Sequence, residues 1–495
     1  MYPTREEVKK LAASGKYKRI PVCREIYANE FTPVQVMRIL RGASRHCYLL
    51  ESASQDENWG RYSFLGFDPV MEITCSEGLL RIRSTNEEGT LGEKEMQVDH
   101  PNEEIRKILE KYKSPRMENM PPFTGGLVGY FSYEYIRYSE PKLKLERHGE
   151  GDFKDVDLML FDQVIAFDHY RQKIFLIAGV QTQDVEASYQ KAEKQISDML
   201  ELLKKGKPME FQPIRLAEPI HPQFEGKRYC DMVEKAREYI REGDIFQVVL
   251  SNPRRARATG SLFDTYRVLR ATNPSPYMFY FNSDDIEIAG SSPETLVSLK
   301  EEILHTFPLA GTRPRGKTKE QDIKLEKELL ADEKERAEHN MLVDLGRNDL
   351  GKISKIGTVE VEKYMGIERY SHVMHIGSTI RGEIREDKDA LDAVDAILPA
   401  GTLSGAPKFR ACEIIEELEQ SRRGIYGGAI GYLDFSGNLD VCIAIRLAYK
   451  KNGKICIRSG AGIVADSVPQ KEYEECANKA MAVVKAIEEA QEGLV

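Results

Sequence analysis

The chain has 495 residues, 41% of them hydrophobic and 31% charged, with a net charge of −9. That length exceeds what one core fills, so two domains of about 200 to 250 residues are expected in a soluble globular protein. Acidic and basic residues are mixed throughout, which leaves no basic stripe for nucleic acid, and no apolar run reaches the ~18 residues a membrane span needs.

Met1–Lys18 is charged and lacks the apolar centre of a signal peptide, which points to the cytoplasm. From there to about residue 205 the sequence reads as short strands with a few helices. Cys47–Glu51 and Val156–Ile177 are strand-rich, and Val185–Lys205 is a charged amphipathic helix. A linker is expected over 206–224, where Pro208, Pro213, Pro219 and Pro222 interrupt any apolar period. Beyond it come a helix over Tyr229–Arg241, a strand over Ile245–Ser251 and a helix over Leu262–Ala271. One long helix is expected over Leu325–Leu345, then a hairpin over Gly428–Ser459 turning at Asp434–Asn438, and a closing helix over Pro469–Glu489 with proline in its first turn. Hairpins and long helices without βαβ alternation predict an α+β fold of antiparallel sheets flanked by helices, in two domains, 1–205 and 225–495. Cys23, Cys47, Cys75, Cys230, Cys412, Cys442, Cys456 and Cys476 include no Cys-x-x-Cys pair, so they read as reduced thiols rather than zinc ligands or a disulfide framework.

Gly311–Thr318 fits the P-loop pattern G-x-x-x-x-G-K-[ST]. A P-loop lysine should open a helix packed on a parallel sheet. Here Lys317 leads into Lys319-Glu320-Gln321-Asp322, read as a solvated charge run, so a plain basic loop is the better reading.

The last 250 residues carry an ordered string of polar and glycine positions: Gln247, Glu294, Ala310-Gly311-Thr312, Glu335/Glu338, His375, Thr402, Arg446, Gly460-Ala461-Gly462 and Glu472/Glu475. Each Glu-x-x-Glu pair lies on one helical face. Glu335 and Glu338 share theirs with Ala331, Leu342 and Leu345; Glu472 and Glu475 share theirs with Lys479, Cys476 and Val483, while Glu474 and Asn478 fall on a separate polar stripe. Carboxylates on semi-apolar faces need partners, either lysines or a hard divalent cation such as Mg²⁺. Glu413/Glu416/Glu419 reads instead as a solvated face. Arg446 is expected within a strand Val441–Tyr449, on the face with Cys442, Ala444 and Ala448, where its fork could grip a carboxylate or simply meet solvent. The Gly460–Gly462 amides could approach an anion or form a bulge. His375, in a strand-like Val373–Ile380, could titrate in a cleft or be structural.

Ile245–Ser251, Gly290–Glu294, Pro308–Arg315, Glu338–Asp349, Tyr370–His375, Gly401–Lys408, Tyr426–Gly431 and Ala461–Gln470 together resemble the chorismate-utilising enzymes in order along the chain, and most closely the anthranilate synthase large subunits. The resemblance implies that Glu338 and Glu475 reach Mg²⁺, with Glu335 and Glu472 alongside, and that Mg²⁺ holds the ring carboxylate of chorismate. It implies that Arg446, Tyr426 and Gly460, Ala461 and Gly462 hold the pyruvyl carboxylate, with Lys479 near the metal-bound end. Gly311 and Thr312 would line the ring with Thr402 close by. Glu294 matches the family's general acid and His375 the histidine of the elimination step.

Relatives that add water carry lysine where this chain has Gln247, and aminodeoxychorismate synthases typically carry lysine where it has Ala310. The pair implies ammonia addition followed by aromatisation to anthranilate, with aminodeoxychorismate synthase of the folate pathway as the alternative. Leu49–Ser52 and Asn273–Met278 resemble the two halves of a tryptophan feedback site, implying Ser52, Pro276, Tyr277 and Met278 as L-tryptophan contacts. No cysteine sits in a glycine-flanked nucleophile turn, so a separate glutamine amidotransferase subunit is the expected ammonia source.

Overall fold

The computed structural model describes residues 1–52, 60–85, 91–146, 153–370 and 373–494. Two sheets dominate it, of 13 and 12 strands, and their ladders are antiparallel. The expected α+β class of antiparallel sheets and helices is what the chain adopts.

Period-two alternation explains the layering. In the strand Cys47–Glu51, Tyr48 points one way and Leu49 the other; in Val156–Phe161, Met159 and Phe161 oppose Leu158 and Leu160. Tyr48, Phe64 and Phe279 from the first sheet meet Val128, Phe161 and Ile430 from the second in a core between the layers. The opposite face of the first sheet packs on helices including Pro33–Ala43, Val185–Lys205 and Pro469–Ala490. The opposite face of the second packs on Asn102–Glu110, Glu333–Gly351 and Ala390–Ile397.

The proline-rich boundary at 206–224 divides neither sheet. Cys47–Glu51 pairs with Tyr277–Asn282 in the first, and Gly126–Phe131 pairs with Ala429–Asp434 in the second. Segments 1–205 and 225–495 therefore share both sheets and the core between them. This replaces the picture of two separately cored halves, because strands of both segments complete the same sheets and contribute to the same apolar clusters.

The chain crosses from one sheet to the other at two neighbouring places. Ile286–Ser292 lies in the first sheet and Thr295–Lys300 in the second, with Glu294 in the gap. Leu439–Ile443 lies in the second and Leu447–Lys451 in the first, with Arg446 in the gap at φ +53°. The expected continuous strand Val441–Tyr449 is thus broken, and Arg446 stands at a crossover instead of on a strand face. The two crossovers are bonded together: Ile443 N donates to Glu294 O (2.9 Å), Ser291 N to Arg446 O (3.1 Å) and Ser292 Oγ to Ile443 O (2.7 Å).

The expected long helix Leu325–Leu345 is two, Lys319–Ala331 and Glu333–Gly351. Asp332 is extended and caps the second through Lys334 and Glu335 N–H groups, so a capping aspartate overrides helical periodicity. The turn at Asp434–Asn438 and the helices Val185–Lys205 and Pro469–Ala490 form as expected. All eight cysteines are free thiols, and among the described residues no helix is long and apolar enough to cross a membrane.

Candidate active site

A cleft of about 800 Å³ opens where the crossovers meet the ends of two helices. The paired strands Gln247–Thr259 and Lys454–Ile463 form its floor, with Val249 opposite Gly462 and Ser251 opposite Gly460. Backbone crowding requires the glycine at 460, whereas a side chain at 462 would displace the Gln247 amide. A Cβ on Gly462 would lie 2.6 Å from Gln247 Nε2, and one on Gly460 would lie 2.7 Å from Leu250 O and 2.8 Å from the Tyr426 hydroxyl.

Of the residues singled out in the sequence as catalytic, substrate-binding or metal-binding, the cleft gathers Gln247, Glu294, Gly311, Thr312, Glu335, Glu338, His375, Thr402, Tyr426, Arg446, Gly460, Gly462, Glu472, Glu475 and Lys479. Ala461 is the exception. Its side chain is fully buried in the apolar cluster below the floor, because alternate residues of a strand face opposite ways. Residues 371–372 of the Tyr370–His375 segment lie outside the described residues.

Glu294 is buried, and Thr402 Oγ1 donates to its Oε1 (3.2 Å). Burial pushes its carboxyl up to about 8, with Thr402 and Lys479 only partly opposing the shift. Ladder register slips just after it, between Thr295 and Val297, and such a bulge re-aims a neighbouring side chain.

His375 lies in the strand Val373–Glu383, beside Leu309–Pro314. Its Nδ1 is 2.8 Å from Gly311 O and 3.1 Å from Thr312 Oγ1. A carbonyl oxygen only accepts, so Nδ1 carries the hydrogen and Nε2 keeps its lone pair. Burial lowers the imidazole below its usual range despite the Gly311 contact, so the ring is neutral near pH 7. Gly311 has φ +67°, and a Cβ there would come 3.1 Å from Glu335 Oε2.

The helices Glu333–Gly351 and Pro469–Ala490 present the four glutamates to the cleft. Gln247 Nε2 donates to Glu338 Oε1 (3.4 Å), Lys479 Nζ pairs with Glu475 (2.7 Å) and Arg313 with Glu335 (3.2 Å). Burial and then Glu335 raise the Glu338 carboxyl; burial, and further Glu475, raise that of Glu472. Glu335 destabilises the charged form of Glu338, and Glu475 that of Glu472; a hard divalent ion would relieve both, so the residues fit Mg²⁺ chemically. Their oxygens are not drawn into one compact cage. Among the described residues, the one set of three or more His, Cys, Asp or Glu ligand atoms within 4.8 Å is His46, Glu72 and Asp284. There Arg83 bonds both acids, so that set is an ion-pair cluster.

Arg446 Nη1 donates to Lys479 O (2.7 Å) and its guanidinium lines the cleft. Lys334, Arg458 and Lys471, not singled out in the sequence, also line it. Glu474 and Asn478, assigned to a separate stripe, join the same wall, since the cleft is wide enough to span two faces of the helix. Arg458 was detectable in principle as a charged residue in an otherwise buried strand.

Ser52, Pro276, Tyr277 and Met278 line a second cavity of about 370 Å³, together with Glu51, Arg61, Arg116 and Asp440. It lies on the seam where Met278 pairs with Glu51. Among the described residues the Ser52 hydroxyl is buried with no partner.

The P-loop-like string is no phosphate cradle. Its strand Leu309–Pro314 is antiparallel to its neighbour, and Gly316 N–H donates to Asp322 (2.7 Å) and Lys317 N–H to Gln321 (3.0 Å). Lys319–Asp322 begins a helix capped by Thr318 rather than a solvated coil, so the basic-loop reading holds for a different local reason.

The model of the chorismate binding enzyme family matches residues 45–485. Anthranilate synthase component 1 of Acetivibrio thermocellus is 47% identical over 499 residues, 99% of each chain. That of Aquifex aeolicus (strain VF5) is 45% identical over 98% of each. The crystal structure of anthranilate synthase component I from Streptococcus pneumoniae TIGR4 matches with a TM-score of 0.75 at 38% identity, over 86% of this chain and 92% of that one.

Proposed function

The chain belongs to the chorismate-binding enzymes, and we propose that it is the chorismate-converting component of an anthranilate synthase, which adds ammonia to chorismate and eliminates pyruvate to form anthranilate, the first step of tryptophan synthesis. The observation that carries this reading is the convergence of a protonated carboxyl, a neutral histidine and an uncharged amide on one cleft.

Glu294, neutral below about pH 8, gives its proton to the ring hydroxyl as it leaves. Thr402 fixes which oxygen carries it. Gln247 cannot act as a base. Its Oε1 is buried without a partner among the described residues, while its Nε2 is turned to Glu338. That free acceptor suits an incoming ammonia, which donates N–H and needs orientation rather than deprotonation. His375 Nε2, unprotonated because Nδ1 is tied to Gly311, is the base for the ring proton lost with pyruvate. Arg446, Tyr426 and the Gly460 and Gly462 amides receive one substrate carboxylate. Glu338 and Glu475, with Glu335 and Glu472, would hold Mg²⁺, which would neutralise the other. Ammonia would come from a glutamine amidotransferase partner, and L-tryptophan would bind in the seam cavity as a feedback inhibitor.

The test is incubation of the chain with chorismate, Mg²⁺ and ammonium. Fluorescent anthranilate with equimolar pyruvate is expected; an aminated product without pyruvate would assign the chain to aminodeoxychorismate synthesis.

A further inference from the structure

Beneath the Tyr426–Gly460 end of the cleft lies a charged group that the acid–base roles leave unused. Glu419 had read as part of a solvated face, yet it is 1% exposed, between Arg423 at 2% and Arg458 at 5%. Glu419 Oε1 accepts from Ser251 N (2.7 Å), Ser251 Oγ (2.9 Å) and Arg423 Nη2 (2.6 Å). Its Oε2 accepts from Arg423 Nε (3.0 Å) and Arg458 Nη2 (2.6 Å). Arg458 is further tied through Nε to Ser251 Oγ (2.8 Å) and through Nη1 to Arg422 O (2.5 Å).

Two guanidinium groups against one carboxylate leave a positive charge in excess. The next buried acid, Glu134, accepts only from the Arg423 and Gly424 amides (2.7 and 3.0 Å), and burial shifts it toward its neutral form. A buried ion triad is weak evidence for stability, since apolar replacements are often as stable. What the triad touches is more informative. Arg423 donates to Leu403 O (2.6 Å), beside Thr402, and to Val249 O (2.7 Å), and its guanidinium lies 5.7 Å from the Tyr426 ring centre. Arg458 itself lines the cleft, two residues before Gly460 and braced by the Ser251 that faces Gly460 across the ladder.

We propose that Arg458, held rigid by Glu419 and Ser251, is a positioning residue for the substrate, adding positive potential at the end of the cleft where Arg446, Tyr426 and the Gly460 amide meet a carboxylate. The inference rests on the chorismate reading. With a dianionic substrate the added charge acts mainly on binding and leaves the proton transfers at Glu294 and His375 unchanged.

Arg458→Gln keeps a donor for Glu419 but removes the charge; Arg458→Lys keeps the charge but loses the planar fork. Thermal melts establish that each variant is folded, and steady-state kinetics with chorismate, Mg²⁺ and ammonium give the result. R458Q is expected to raise the KM for chorismate about tenfold, the usual scale for losing a charge-assisted contact, with kcat within about threefold. R458K is expected to hold KM near wild type even if it melts lower. An unchanged KM in R458Q, or a KM in R458K as high as in R458Q, overturns the proposal. Should R458Q not fold, Arg458→His decides: its KM relative to wild type must climb as pH rises through the imidazole range, and a flat ratio overturns it. A wild-type chain that leaves chorismate untouched would sink the chorismate reading instead.

Discussion

Glu294 is kept neutral by the burial that makes its charged form destabilising. Its folded pKa of about 8 lies above the ordinary 4.5, so proton binding favours the folded state below pH 4.5 and that advantage is lost as pH rises toward 8. At pH 7 the loss is on the order of 3 kcal/mol at ~1.4 kcal/mol per pKa unit. Glu294→Gln, neutral at every pH, should therefore melt above wild type at pH 7 to 9 and alongside it near pH 4, while losing anthranilate formation. A melt no higher at pH 8 would show that the carboxyl is not held protonated. The same pair of groups sets the pH–rate profile. Turnover should fall as pH rises through about 8, where Glu294 loses its proton, and on the acid side below the ordinary histidine range, where His375 gains one. His375→Ala should remove the acid limb and slow pyruvate release more than chorismate consumption; equal slowing of both would deny it the base role.

Among the elements, the helices Glu333–Gly351 and Pro469–Ala490 carry the clearest test, because the first brings Glu335 and Glu338 to the cleft and the second Glu472, Glu474 and Glu475. Glu338→Gln or Glu475→Gln should weaken Mg²⁺ binding measured by calorimetry and lower activity tenfold to over a hundredfold, as losing a charge-assisted contact of ~1.5–3 kcal/mol implies. Glu333→Gln, on the exposed side of the first helix, is the control, and equal losses there would remove the metal assignment. These helices also show what the sequence disclosed. Period and spacing were enough for the Glu-x-x-Glu faces, the closing helix at Pro469 and the turn at Asp434, since each is set by neighbours within a few residues. Asp332 was hidden because a capping residue inside an apolar period looks like a solvent-facing helical position. Arg446 and Glu419 were hidden for a longer-range reason. A strand that leaves one sheet for another keeps its alternation across the break, and a carboxylate spaced at three along a helix looks solvated until two distant arginines close over it.

At the scale of the whole molecule, the two sheets joined across 1–205 and 225–495 would give a ligand bound at their seam a physical route to the cleft. The cavity lined by Ser52, Pro276, Tyr277 and Met278 lies on the seam, where Met278 pairs with Glu51. The Tyr277 hydroxyl donates to Asp440 (2.8 Å), which also lines the cavity, and contacts Thr295 Oγ1 (2.9 Å) outside it. Thr295 follows Glu294, and Asp440 lies in the strand Leu439–Ile443 that leads to the Arg446 crossover. A ligand that shifts Tyr277 thus bears on both crossovers that build the cleft. L-tryptophan is accordingly expected to inhibit by biasing the crossovers against the substrate-bound arrangement, with a coupling of ~1–3 kcal/mol, or five- to 150-fold, and chorismate must weaken tryptophan binding by the same factor. Ser52→Phe or Met278→Thr should abolish tryptophan binding while leaving uninhibited turnover near normal. Tyr277→Phe should retain binding but lower the coupling, since it keeps the ring in the cavity and cuts the bonds to Asp440 and Thr295. Calorimetry with and without chorismate separates these cases. If tryptophan does not bind the wild-type chain, the cavity has another ligand; if Tyr277→Phe leaves the coupling unchanged, the route runs elsewhere through the shared sheets.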